Sequence, residues 1–450
     1  MAIEELPTRE AVEHGWLKRR FGGTFVLSTL PVMIAAVGVR LLVSVFGYVL
    51  QVLVSRSATT AQYGRYAFAA SVALALSGLA GRGSDQLVLQ QAPRFVSASP
   101  VFLSGLRRFV VRRTLLGLVI AVPASVLILT LGEGSASWRS HAVYAALTAA
   151  TVIVGSFGSV ENAWLSAHGR PLLADTLTFL ATAALSCVIF IAIGIGLDRR
   201  SGEAALFSVL LGTSIAVLII HLCCRGMTTG FQSADPGELS ERHWRRVATK
   251  FFMVALCQAA SGRTIVLALG LALDPVEFAL LFAAWKMAQL LDIPHMAVGS
   301  WAVPRFAGAK DPRTLQPLLT NISRFMAIIG VFLGASLIAL RAPLLGVFGD
   351  EYRSAANAFL ILLVGQAFVQ VFGPVGYLVG VMGSERSMLR IEAGVAMVGV
   401  PFAALLALRF GVNGAALGIV LSLVTRTIAM WWTLGRRHSV WGLPLALGRR

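Results

Sequence analysis

The sequence predicts an all-α membrane protein of about twelve transmembrane helices, arranged as two six-helix bundles around a central cavity. Three observations carry that prediction. Of 450 residues, 57% are hydrophobic and only 13% are charged, far from the ordinary globular balance. Apolar runs of about 20 residues or more follow one another along the whole chain, each long enough for a hydrocarbon layer of about 30 Å. Their continuity excludes a β-barrel, which alternates polarity over segments of about ten residues. Lastly, a polar stretch near 226–246, TGFQSADPGELSERHWRRV, divides six apolar runs from six.

Residues 1–24 are polar and end in Lys18, Arg19 and Arg20. No short apolar core with a small-residue cleavage site follows, so the first span is expected to stay as a signal anchor. The spans are placed near 26–54, 66–88, 106–131, 141–166, 172–197, 204–224, 249–273, 276–299, 322–341, 355–382, 388–408 and 412–434. They define an N-terminal bundle over 1–225, a linker at 226–246, a C-terminal bundle over 247–435 and a tail at 436–450. Counting Lys and Arg in alternate loops gives 26 on one side and 8 on the other, with Arg40, Arg263, Lys286 and Arg426 inside spans. By the positive-inside rule both termini are cytoplasmic, as an even number of spans requires.

The net charge of +17 follows from those loops rather than from a soluble basic face, so nucleic-acid binding has no support. Cys187, Cys223, Cys224 and Cys257 fall in or beside predicted helices, without zinc or disulfide spacing, and no cofactor is indicated. Each half opens with a helix, a short polar outer turn and a return helix entered through an aromatic residue, TTAQYGRYAFA beside LDPVEFALLFA. Such a match suggests a parallel repeat about an axis along the membrane normal, an arrangement of transporters with a cavity between the halves. Pro31, Pro123, Pro294, Pro401 and the glycines at 373, 376, 380 and 383 punctuate the helices; packing is the favoured reading of the glycines, bending the other.

The charged positions inside the spans carry the chemistry. Arg263 lies eleven residues before Asp274, and Lys286 eleven after Pro275, so the two cations share one level near mid-bilayer. A lone cation there costs about 2.5–3.5 kcal/mol or more, and something must offset it. Either both face a wet cavity that receives an anion, or each pairs with an acid from another helix; the cavity is the reading carried forward. Arg40 and Arg426 lie nearer the cytoplasmic end, where snorkelling to headgroups competes with cavity exposure. Glu161, Asp175, Asp292, Glu392 and Glu277 sit near span ends, where capping or pairing with Arg competes with ion coupling. Gln51, Gln258, Ser261, Gln289, Gln366 and Gln370 are suited either to sugar hydroxyls or to hydrogen bonds between helices.

The first hairpin, with Tyr63, Gly64 and Tyr66 followed by the turn Gly83, Ser84, Asp85, Gln86, resembles the polysaccharide-type flippases of the multidrug/oligosaccharidyl-lipid/polysaccharide exporter superfamily. So do LLGVFGDEYRSAANAFLILLVGQAFVQVFGPVGYLVGVMGSERSMLRIE and RFGVNGAALGIVLSLVTR, which read like the last three spans of that family. The resemblance implies alternating access and an undecaprenyl-diphosphate-linked oligosaccharide carried from the cytoplasmic to the outer leaflet of a bacterial inner membrane, for O-antigen, capsule or exopolysaccharide. It implies a cationic lumen, for which Arg40, Arg263, Lys286 and Arg426 are the candidates. Coupling to Na⁺ or H⁺, and association with other polysaccharide-assembly membrane proteins, stay open. Drug-exporting relatives usually carry an acid in the first span, where this chain has Arg40. The alternatives are a peptidoglycan-precursor flippase, which normally has more spans, and a polytopic polymerase or ligase. The latter needs catalytic groups on a substantial loop, and the outer loops here are short.

Overall fold

The computed structural model describes residues 25–95, 100–132, 138–196, 201–228, 238–295, 312–382 and 385–441, and every regular element among them is helical. In chain order these are α1 (Phe25–Ser57), α2 (Thr60–Ala80), α3 (Ser84–Phe95), α4 (Pro100–Gly132) and α5 (Trp138–Ala167). Next comes α6, made of Pro171–Asp175, a π-helical turn Thr176–Ala181 and Thr182–Gly196, then α7 (Gly202–Thr228), α8 (Glu238–Ala272) and α9 (Pro275–Ala288). α10 (Pro312–Ala339), the short α11 (Arg341–Gly346), α12 (Ala356–Phe372), α13 (Val375–Val381) and α14 (Glu385–His438) complete the chain. Among the described residues, seven helices are long and apolar enough to cross a membrane by themselves. The chain is a multi-pass membrane protein with the two-lobe architecture expected; below, the first lobe denotes the helices before the polar stretch near 226–246 and the second those after it.

The local chemistry explains where these helices start and stop. Thr59 accepts from the Gln62 N–H while the Gln62 side chain accepts from the Thr59 N–H, a reciprocal cap that starts α2 two residues after α1 ends. Asp274 accepts from the N–H groups of Val276 and Glu277, and Pro275 supplies a pre-set φ at the first position of α9. The two outer turns matched in sequence are therefore both capped helix starts. Hydroxyls within the spans turn back onto their own helix, as Ser71 does to the Ala67 carbonyl and Thr151 to that of Leu147.

Two predicted spans are broken, and a third irregularity falls where the sequence places it. The run 66–88 ends at Ala80 and restarts as α3, because Arg82 (φ 49°) and Gly83 (φ 76°) turn the chain where the carbonyl of Ala248 leaves no room for a Cβ. The run 355–382 divides at Gly373 (φ 67°), so glycine there bends the span rather than only packing it. α14 is two helices joined at Gly411 (φ 54°), matching the separate spans 388–408 and 412–434.

Burial is unequal along the molecule. Below, "outer" denotes the end with few Lys and Arg in its loops. One large apolar cluster there joins both lobes through Tyr63, Phe68, Phe278, Phe282, Phe348 and Tyr352. Toward the opposite end the cores separate, one around Leu87, Trp164 and Trp244 and another around Leu319, Leu378 and Leu434. Apolar side chains such as Val119, Ile120, Phe332, Met397 and Leu408 point outward from the bundle, where a hydrocarbon layer would cover them.

Candidate functional site

A cavity of about 240 Å³ lies between α1 and α9, lined by Val43, Ser44, Gly47, Tyr48, Gln51, Lys286 and Gln289. Ser44, Gly47, Tyr48 and Gln51 recur at helical spacing and so share one face of α1; Lys286 on α9 and Gln289, three residues on in the turn that continues it, face them. The Lys286 ammonium donates to Gln289 Oε1 at 3.3 Å and lies 5.3 and 5.4 Å from the ring centres of Phe282 and Trp285. Among the described residues no carboxylate stands within ion-pair distance of it. Gln51 donates to the Tyr66 hydroxyl at 3.4 Å, and its Oε1 is buried without a hydrogen-bond partner among the described residues.

Just past Lys286 the helix tightens into a 3₁₀ turn, Gln289–Leu291. Tyr48 of the facing lobe donates its hydroxyl to the carbonyl of Lys286, and Gln370 donates to that of Leu291 at 2.7 Å. The wall of the cavity thus carries an ammonium, two amides and two hydroxyls. Chemically, it suits an anion with hydroxyl-bearing substituents.

Of the predicted cations, Lys286 lines the cavity and Arg426 lies within Coulombic reach of Asp292 and His295. The side chains of Arg40 and Arg263 lie outside the described residues, as do those of Gln258, Ser261 and Cys257. Of the polar residues weighed from sequence, Gln51 and Gln289 face the cavity, and Gln370 bonds between helices. Glu161 pairs with Arg107 at 3.3 Å and His221 at 3.0 Å inside one lobe. Tyr48 and Ser44 were not singled out from sequence. Their spacing with Gln51 is the signal that finds them.

On the outer side the lobes close over this cavity. Gly64 of α2 meets the Pro275 carbonyl of α9 so tightly that a Cβ would stand 1.8 Å from the oxygen. Tyr63, fully buried beside it, packs edge-on against Phe282, Phe348 and Tyr352 with ring centres 5.8–6.3 Å away. Ser55 donates to the Phe348 carbonyl at 3.0 Å and Arg56 Nε to that of Val347 at 2.7 Å, while Thr60 donates to Glu351.

No family model and no curated protein matches the chain. Solved structures do. An inward-facing multidrug resistance MATE family transporter of the MOP superfamily superposes with a TM-score of 0.73 at 15% identity, covering 90% of this chain and 98% of that one. The lipid II flippase MurJ in an inward closed conformation gives 0.71 at 12% identity, over 89% of this chain and 87% of that one. An outward-facing MATE family transporter gives 0.63 at 16% identity, over 90% and 94%. The chain therefore has the fold of MOP superfamily transporters.

Proposed function

We propose that this chain is a flippase carrying an undecaprenyl-diphosphate-linked oligosaccharide from the cytoplasmic to the outer leaflet of a bacterial inner membrane, by alternating access, for surface polysaccharide assembly. The single observation that carries the reading is Lys286: an ammonium on the wall of a cavity between two lobes, with no carboxylate beside it among the described residues. A buried charge needs a partner, and a diphosphate headgroup supplies one during transit. The amides and hydroxyls of Ser44, Tyr48, Gln51 and Gln289 supply hydrogen bonds of the kind a sugar accepts and donates. Arg40 and Arg263 remain proposed partners of Lys286 in the lumen, and Arg426 a proposed contact nearer the cytoplasm. The likeness to the lipid II flippase MurJ favours a second reading, a peptidoglycan-precursor flippase, in which the same ammonium meets the same kind of headgroup.

The test is complementation. Loss of the gene leaves a completed, lipid-linked repeat unit inside the cell under the first reading, and a peptidoglycan precursor under the second. Lys286→Gln is expected to cut the transport rate about tenfold or more at unchanged membrane abundance, the scale of one charge-assisted contact. Full activity in that variant would remove the basis of both readings.

A further inference from the structure

A second cationic cluster lies away from the Lys286 cavity, where the turn after α2 and the first half of α4 meet the first turns of α8. Its centre is Arg113, a buried guanidinium on a helix bordered by apolar residues. Arg113 Nε donates to the carbonyl of Arg82 at 3.0 Å and Nη2 to Thr249 Oγ1 at 3.3 Å. A guanidinium has five N–H donors in a planar fork, and among the described residues Nη1 has no hydrogen-bond partner. The charges of Arg82 and Arg245 lie within Coulombic reach of it. Arg82 is half-buried over the Phe252 ring and Arg245 is exposed, so the trio runs from the seam to the surface.

Three like charges in one place repel, yet among the described residues no carboxylate is within ion-pair distance of any of them. Asp85, the acid nearest in sequence, accepts instead from the Gln86 amide at 3.3 Å. The backbone holds the arrangement firmly. Arg82 sits at positive φ, unusual for a residue with a side chain, and Gly83 packs against Ala248 and Phe252. Trp244, one turn before Ala248, is wedged against Phe102 and Phe109 and is essentially inaccessible. Beside the turn, Ser84 is fully buried and its hydroxyl has no hydrogen-bond partner among the described residues.

We propose that this seam is a phosphate-binding site, separate from the Lys286 cavity, in which Arg113, Arg82 and Arg245 hold the phosphate of a lipid headgroup or a free inorganic phosphate or diphosphate. Arginine is the side chain best matched to phosphate, by charge and by paired N–H donors. Its position fits either source. The three residues belong to the end of the molecule rich in Lys and Arg, which the positive-inside rule assigns to the cytoplasm. An occupant would touch α2 and α4 on one side and α8 on the other, tying the two lobes together at the end opposite the aromatic seal. The site does not depend on the flippase reading, since a phosphate bound here is compatible with any cargo.

The experiment uses the purified full chain in phosphatidylcholine nanodiscs. In one arm inorganic diphosphate is titrated; in the other, phosphatidic acid is included in the disc and bound lipid is counted by native mass spectrometry. Thermal unfolding is followed in both. Binding in either arm, with a rise in unfolding temperature, is expected for the unaltered chain. With Lys286→Gln as the background, so that the cavity ammonium does not contribute, Arg245→Gln, at an exposed position, should weaken it about tenfold, Arg113→Gln at least as much, and Arg437→Gln, exposed on the tail of α14, should leave it unchanged. Diphosphate alone would name a soluble occupant, phosphatidic acid alone a lipid, and both the shared phosphate chemistry. Absence of binding in both arms would overturn the proposal. So would binding that survives Arg245→Gln and Arg113→Gln, or that only Lys286→Gln removes.

Discussion

Gly64→Ala tests whether the contact between α2 and α9 is a gate or merely a tight spot. The added Cβ would stand 1.8 Å from the Pro275 carbonyl oxygen and 2.7 Å from its carbon. Ordinary contacts of this kind are more than an ångström longer, and neither side yields easily, because both obstacles are backbone atoms in capped helix starts. Overpacking of this sort costs about 1–3 kcal/mol. If the cost falls on the outer-closed state and is relieved when the lobes part, the open population rises about 5- to 150-fold. The readout is a cysteine placed at Ser55, buried under the seal and bonded to Phe348, in a chain whose native cysteines are replaced. Its labelling by a membrane-impermeant thiol reagent should accelerate in Gly64→Ala by that factor. Gly334→Ala, with nothing within 4 Å of its Cβ, is the control and should change nothing. A Gly64→Ala protein that is less stable but labels no faster would show that the contact does not gate, and the argument for a separating outer seal would fail.

Two further changes probe the helix irregularities. Tyr48→Phe removes the hydroxyl that donates to the Lys286 carbonyl, worth about 0.5–1.5 kcal/mol, and should lower transport a few-fold at constant abundance in the complementation assay. Gly373→Ala imposes a side chain at φ 67°, with its Cβ 2.6 Å from Ser323 Oγ, and should destabilise the second lobe by about 1–3 kcal/mol, seen as a lower unfolding temperature.

Apolar run length gave the helices and their pairing, because lipid imposes that length on each span separately. It failed at 66–88, where the small residues of SGLAGRG keep the window apolar across a turn whose cause, the Ala248 carbonyl, is far away in sequence. Lys286 was legible as a charge with no acid on its own helix face, a local property. What it faces was not, since the cavity needs α1 beside α9, and Tyr48 reaches a carbonyl 238 positions away. The Arg113 seam was invisible for the same reason. Its three cations counted as ordinary loop charges until the fold brought them together without an acid.

The outer seal is built so that it can be undone. Edge-on aromatic pairs contribute about 0.5–1.5 kcal/mol each, and Tyr63 makes three across the lobe boundary, with Phe282, Phe348 and Tyr352. Yet the Tyr63 hydroxyl is buried with no hydrogen-bond partner among the described residues, a penalty of about 1–3 kcal/mol that parting the lobes would relieve by admitting water. Gain and penalty are of one size. A phenylalanine at this position would keep the rings and lose the penalty, making a stronger seal. The chain instead places a tyrosine at the lobe boundary, which brings the closed and open arrangements close in energy.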